Sequence, residues 1–241
     1  MQAALISIYT EDIKELAVIT THYNKRRYCE KHGYDLILKT KDFQIQHLGF
    51  EKLRLVHDIL KEGKYDWVYW CGCDTMITNY NIRLEDLIDE DYHFIVSTDI
   101  WDINADSFLC RASDKGIQFL EHMLSLYDEY IDENGAAIDR GQRLPDGGAR
   151  CWGEQEAIID HYPNYTDVVK VEPQKVMNSY IYSIYPSAWH QKGLDSFGNN
   201  GTWSPGDFLI HFPGIPNNVR LNLAINMIKE VVGDEEHDDY V

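Results

Sequence analysis

Two residues combine a reactive side chain with a position from which it can act. Asp74 ends the run Asp66-Trp67-Val68-Tyr69-Trp70-Cys71-Gly72-Cys73-Asp74, in which an apolar segment delivers a lone carboxylate, and a buried strand seldom ends in a bare charge without a partner. His211 ends a second apolar run, Asp207-Phe208-Leu209-Ile210-His211, just before a Pro213-Gly214 turn. A carboxylate and an imidazole at the ends of two strands can share one divalent ion, with a nucleotide diphosphate completing its shell. Mixed oxygen and nitrogen ligation points to Mn2+, with Mg2+ as the second choice. Such an ion neutralises the charge that builds on a departing phosphate when a sugar-diphosphate bond breaks. Lys52 and Arg220 are cations able to add charge-assisted contacts to phosphates. Each assignment has a structural counterpart that stays open: a turn-forming Asp74, a structural His211, and surface salt bridges for Lys52 and Arg220.

The elements that must carry these residues follow from apolar spacing. Ala3 to Tyr9 predicts a buried strand, Glu11 to Lys31 a helix stopped at His32-Gly33, and Tyr34 to Leu38 a second strand. Phe50, Leu53, Val56, Ile59 and Leu60 recur at helical spacing, and Trp67 to Trp70 follows as a short strand. This alternation implies an α/β fold with a mostly parallel sheet, whose ligands lie beyond the carboxyl ends of its strands. The residues just past those ends are Thr10, the stretch Gly72 to Thr75 with Cys73 inside it, and Asp99 after His93 to Thr98. From Asn134 to Gly153 the chain is rich in Gly and Arg, which suits a loop over a site and a disordered insertion equally well. A helix is expected at Glu154 to His161 and a strand at Asp207 to His211.

With 241 residues, one domain is the default, spanning 1–232 and followed by an acidic, frayed tail at 233–241. A net charge of -18 repels polyanions, so nucleic acid and anionic lipid surfaces are excluded as unspecific partners. The five cysteines are odd in number and lack paired spacing, which argues against a disulfide framework. For Cys71 and Cys73, burial is favoured over metal binding because no second Cys or His pair lies nearby. The N-terminus has no basic region before its apolar run, and no apolar segment reaches the roughly 18 residues of a membrane span. The expectation is a cytoplasmic or otherwise soluble domain with neither signal peptide nor transmembrane anchor.

The motifs together resemble glycosyltransferase family 34, the galactosyl, xylosyl and mannosyl transferases. The resemblance runs through Asn24-Lys25-Arg26-Arg27-Tyr28-Cys29, His32-Gly33-Tyr34-Asp35, Phe50-Glu51-Lys52 and the strand and turn Trp67 to Asn79. It continues through Asn104-Ala105-Asp106-Ser107-Phe108-Leu109 with Arg111, Glu154-Gln155-Glu156-Ala157, Met177-Asn178-Ser179-Tyr180, and Gly206 to Phe212. It implies a Rossmann-like, nucleotide-sugar-binding GT-A fold, Mn2+, and transfer of a hexose or pentose, galactose favoured, to a glycan hydroxyl with retention of configuration. The donor it implies is a UDP-sugar first and GDP-mannose second, and the acceptor is a saccharide. On matching positions, Asp74 is the second carboxylate of the D-x-D motif and His211 the metal-binding histidine. Asp99 and Asn104 match positions close to the donor sugar, and Gln155, with Glu154 beside it, faces the reacting carbon.

For that last pair the residues leave a choice. An uncharged Gln155 amide can stabilise a developing oxocarbenium ion, whereas Glu154 or Glu156 can act as a nucleophile; Glu154 also suits a helix N-terminus simply as an acid. The sequence departs from the family pattern at Gly72, where the first D-x-D carboxylate is missing, and at Asp106, which stands where the family usually has Gly. Ile215 and Pro216 also replace the usual cysteine or lysine after the histidine turn. These departures motivate an alternative, a degenerate transferase that binds a sugar nucleotide or glycan without turnover. A third possibility is an interaction protein using Tyr185, Trp189 and Trp203 as exposed rings, which would equally suit stacking on acceptor sugars, with ordinary packing the favoured reading of such rings.

Overall fold

A computed structural model describes residues 1–144, 147–185 and 190–232. The strands are β1 Ala3–Ile8, β2 Asp35–Lys39, β3 Trp67–Cys71, β4 Thr75–Ile77, β5 Phe94–Thr98, β6 Ile103–Arg111, β7 Val169–Glu172, β8 Ser179–Tyr180 and β9 Leu209–His211. The helices are α1 Lys14–Ala17, α2 Arg26–His32, α3 Leu48–Lys61, α4 Asp114–Ser125, α5 Tyr127–Tyr130, α6 Glu154–His161, α7 Gln174–Met177 and α8 Asn217–Val232. The acidic tail at 233–241 and Trp189 lie outside the described residues.

The main sheet has the order β2-β1-β3-β6-β5-β7. Strand β6 runs antiparallel to both its neighbours while the other five share one direction, so the sheet is mostly parallel, as the strand-helix alternation implies. Strands β1, β3 and β5 are buried along their whole length, as expected where helices cover both faces of a parallel sheet. Alternate residues serve the two sides. Ala4, Ile6, Val68 and Trp70 pack with the α3 stripe Phe50, Leu53, Val56, Ile59 and Leu60. Leu5, Trp67 and Tyr69 face Tyr28 of α2 and Phe208 on the opposite side. A small second sheet, β4-β9-β8, stands beyond the carboxyl end of β3.

The helix expected from Glu11 to Lys31 is present but not uniform: Val18–Lys25 is a π-helical segment joining α1 to α2. The wider turn of such a segment aligns residues five apart, and here it turns Thr20 and Lys25 toward the chain that follows β3. Thr20 Oγ1 donates to the Cys73 carbonyl, and Lys25 Nζ donates to the Thr75 carbonyl at 2.7 Å. Asn24 pairs with both the N–H and the carbonyl of Ile77, each at 2.8 Å. Three side chains of one helical turn therefore fix the backbone from 73 to 77, including Asp74. Gly33, at φ 74°, then ends α2 in the left-handed conformation that a glycine adopts without strain.

Apolar periodicity assigns no element to β6, α4 or α8. Strand β6 escapes it because Asn104, Asp106 and Ser107 interrupt its apolar alternation. Those polar residues lie at the sheet end where the parallel strands terminate. No helix among the described residues is long and apolar enough to cross a membrane.

Candidate active site

Asp74 sits in the turn between β3 and β4, and His211 closes β9, which pairs with β4 so that Thr75 lies opposite His211. The Phe212 N–H donates to the Asp74 carbonyl at 3.0 Å. This register brings His211 Nε2 to 3.4 Å from Asp74 Oδ1. The same nitrogen lies 3.8 Å from Asp106 Oδ2 of β6. Asp74, Asp106 and His211 thus form a cluster whose donor atoms all lie within 4.8 Å of one another. His211 is fully buried rather than set outside the core as a strand-end side chain would be.

The tautomer of His211 is set by a neighbour. Asn178 donates from Nδ2 to the Thr98 carbonyl at 3.0 Å, which turns its Oδ1 toward His211 Nδ1 at 2.8 Å. A neutral imidazole then carries its proton on Nδ1 and presents the Nε2 lone pair to the cluster. That Nε2 is buried and has no hydrogen-bond partner. A buried nitrogen lone pair facing two carboxylates meets only electron-rich atoms, and a cation is what would satisfy all three. The donor set therefore fits a divalent ion, with two carboxylates and one imidazole suiting Mn2+. Burial opposes the charge on Asp74, but positive charge on the His211 side, as when Nε2 carries a proton, and the Arg220 guanidinium outweigh it and lower its pKa to about 2.

Two cavities meet at Asp106. One of about 290 Å³ is lined by Thr10, Lys52, Cys73, Asp74, Glu154 and Arg220, among others. The second, of about 440 Å³, is lined by Asn104, Gln155, Trp101, Trp152, Tyr180 and Tyr185, among others, and Asp106 lines both. Of the candidate residues read from the sequence, Thr10, Lys52, Cys73, Asp74, Asn104, Glu154, Gln155 and Arg220 thus line one cavity or the other, and Glu156 does not. His211 lies beneath Asp74 and Asp106, and Asp99 stands behind Asn104.

Asp99 is 3% exposed, and its carboxylate accepts from the N–H groups of Trp101 and Asp102 and from Asn104 Nδ2. Burial pushes its pKa up, against the pull of those donors. Lys52 is likewise buried, and its ammonium donates to the Ala105 carbonyl at 2.7 Å, to Glu154 Oε1 at 2.7 Å and to Asp106 Oδ1 at 3.2 Å. Burial alone would lower its pKa, but the Asp106 and Glu154 carboxylates reverse this and raise it. In this structure its three protons rest on protein oxygens, and Lys52 holds two site carboxylates in place. Arg220 approaches from α8, with Nη1 3.4 Å from Asp74 Oδ2 and a buried Nε without a partner. Arg220 thus has spare hydrogen-bonding capacity beside the first cavity.

Glu154 and Gln155 open α6 and diverge. The Glu154 carboxylate is tied to Lys52, with His47 Nδ1 3.8 Å away. Gln155 Oε1 accepts from the Ala105 N–H at 3.0 Å and keeps a second lone pair beside the other cavity. Gly49 makes room for Glu154, since a Cβ there would lie 1.6 Å from Glu154 Oε2. Gly49→Ala should force Glu154 off Lys52 and cost about 1–3 kcal/mol. A thermal melt checks this, and an unchanged midpoint would show that Glu154 yields freely.

The segment 134–153 contributes Leu144 and Trp152 to the second cavity, and its Arg150 pairs with Asp160 of α6. Cys71 is buried with Sγ 3.0 Å from Thr75 Oγ1, in keeping with burial rather than metal binding. Of the three aromatics that an interaction surface would need exposed, Tyr185 is buried and donates to the Pro213 carbonyl, and Trp203 is half-buried against Thr78, in keeping with ordinary packing. Sequence reasoning left Asp106 out of the candidate ligands. The signal for it was the polar break Asn104-Ala105-Asp106-Ser107 in an otherwise apolar strand.

A mostly parallel sheet with one reversed strand, and a carboxylate-histidine cluster beyond its carboxyl end, defines the GT-A fold of glycosyltransferases. The chain resembles the galactosyl transferase GMA12/MNN10 family, whose model matches residues 7–90. An uncharacterized alpha-1,2-galactosyltransferase of Schizosaccharomyces pombe is 25% identical over 161 residues, covering 48% of this chain and 41% of that protein. An alpha-1,2-galactosyltransferase of the same yeast is 22% identical over 237 residues, covering 79% of this chain and 54% of that protein. The chain therefore spans about half the length of these curated relatives. Among solved structures, a glycosyltransferase involved in glycosylation of the major capsid of PBCV-1 superimposes with a TM-score of 0.65 at 14% identity, covering 93% of this chain and 98% of that one. At that identity the likeness speaks for the fold.

Proposed function

We propose that this domain is a glycosyltransferase that moves a sugar, galactose first among hexoses and pentoses, from a nucleotide-diphosphate sugar to a glycan hydroxyl with retention of configuration. The observation that carries the reading is the buried, partnerless His211 Nε2 facing Asp74 and Asp106 where two cavities join. Asp74, Asp106 and His211 would hold Mn2+, or Mg2+ in its place. When bound, that ion supplies Lewis-acid neutralisation of the departing diphosphate. Arg220, with its unpaired Nε, binds a phosphate oxygen, and Thr10 and Cys73 line the nucleotide side of the same cavity. The acceptor occupies the second cavity, where Trp101 and Trp152 offer aromatic faces to a sugar ring.

Gln155 faces the reacting carbon in this reading. Its Oε1 stabilises positive charge developing on the sugar, while Glu154 remains paired with Lys52. Asp99 acts by holding Asn104 against the donor sugar. Gln155→Ala should lower kcat by about 10- to 100-fold with little change in donor KM. Steady-state kinetics decides, and loss confined to KM would make Gln155 a binding residue.

The test of the whole reading is release of nucleoside diphosphate in Mn2+ from UDP-galactose, UDP-glucose, UDP-xylose and GDP-mannose, with thermal stabilisation by each donor measured alongside. Turnover of a UDP-sugar, UDP-galactose foremost, is expected. Stabilisation by a donor without release would favour the degenerate binding protein instead. No effect of any donor on melting or release would remove both.

A further inference from the structure

The main sheet pairs β3 and β6 antiparallel with Cys71 opposite Ser107, which sets Gly72 opposite Asp106. The Gly72 N–H donates to the Asp106 carbonyl at 2.8 Å. A Cβ placed at position 72 would lie 3.4 Å from both Cβ and Cγ of Asp106 and 3.2 Å from Asp74 Oδ1. A side chain longer than a methyl group at 72 would therefore enter the volume that the Asp106 carboxylate fills. The two facing positions compete for one space beside Asp74, and in this chain the glycine and the aspartate have divided it between them.

We propose that Asp106 supplies, from the neighbouring strand, the metal-binding carboxylate that Gly72-Cys73-Asp74 lacks, and that positions 72 and 106 are interchangeable sources of it. The inference rests on the metal reading given above and goes beyond it in tracing the third carboxylate to the gap left at Gly72 and in making positions 72 and 106 exchangeable. Three observations converge on Asp106. Its Oδ2 lies 3.8 Å from the buried, partnerless His211 Nε2, which points into the cluster. Its Oδ1 is held 3.2 Å from Lys52 Nζ, an ammonium fixed by Ala105 and Glu154, so one oxygen is anchored while the other faces the cluster. Its carbonyl accepts from the Gly72 N–H where the β3–β6 pairing ends, which presents the carboxylate from a strand rather than from a turn. The missing carboxylate of the turn thus need not mean a lost metal site.

The exchange can be tested with Mn2+ alone, following the fall of the free-ion electron paramagnetic resonance signal as protein is added. Wild type should bind, Asp106→Gly and the isosteric Asp106→Asn should each bind about 10- to 100-fold more weakly, and Gly72→Asp combined with Asp106→Gly should recover to within about threefold of wild type. Melting curves establish that each variant is folded, and Asp106→Asn carries the test if the glycine variants are not. Mn2+ affinity unchanged in Asp106→Asn, or a paired exchange no tighter than Asp106→Gly, would overturn the inference and leave a metal site centred on Asp74 and His211 standing. Wild-type protein that binds no Mn2+ would overturn both.

Discussion

Asp74→Asn is expected to lower nucleoside diphosphate release in Mn2+ by about a thousandfold while the melting temperature stays within a few degrees. Asparagine keeps the size of the side chain and removes its charge. That charge is favoured because positive charge at His211 Nε2 and the Arg220 guanidinium overcome burial and hold the acid well below the usual carboxylate range. The backbone at 74 does not depend on the side chain: the Phe212 N–H holds its carbonyl, and Thr20 and Lys25 fix residues 73 and 75 on either side. Loss of activity should therefore come without loss of fold. Parallel turnover and melting measurements check both halves, and a residual rate above about a tenth of wild type would take Asp74 out of the metal-binding role.

The second large effect is on stability. Lys52→Met should destabilise the domain by about 3–5 kcal/mol, because breaking a buried ion pair from one side leaves uncompensated charge in the interior. Lys52 is 3% exposed and serves Glu154 and Asp106 together, so two carboxylates lose one counter-ion. Methionine retains much of the aliphatic volume beside Trp70, which separates the charge effect from packing. Urea unfolding measures the loss as a lower midpoint. Adding Glu154→Gln to Lys52→Met should restore part of it, since one of the stranded charges is then gone. A loss below about 1 kcal/mol would mean that water reaches these groups and that Lys52 is dispensable to the site.

Much of this site could be located from the chain alone because its parts sit at strand ends. Apolar runs are legible wherever a strand is buried on both faces, and the residue at the carboxyl end of such a run in a parallel sheet has a predictable place. Asp74, Thr10 and Asp99 were found in this way, and the helix at Glu154 to His161 appears within the bounds that its pattern gives. Strand β6 was not found. Asn104 and Asp106 face the cavities and Ser107 is buried against Tyr69, so together they erase the alternation by which a strand is recognised, which also left Asp106 out of the candidate ligands. The π-helical segment was equally hidden, since its purpose is to turn Thr20, Asn24 and Lys25 toward a backbone some fifty residues further along the chain.

What the sequence determined by itself is the alternating α/β architecture and the two residues, Asp74 and His211, on which the proposed metal site centres. Those follow from local patterns: burial period, residue type and position after a strand. Only the tertiary structure decided that Lys52 is a buried counter-ion, that Asn178 sets the His211 tautomer, and that Asp106 shares space with position 72. Each of these depends on distances between segments far apart in the chain, and a sheet register and packed side chains define such distances where spacing along the sequence cannot.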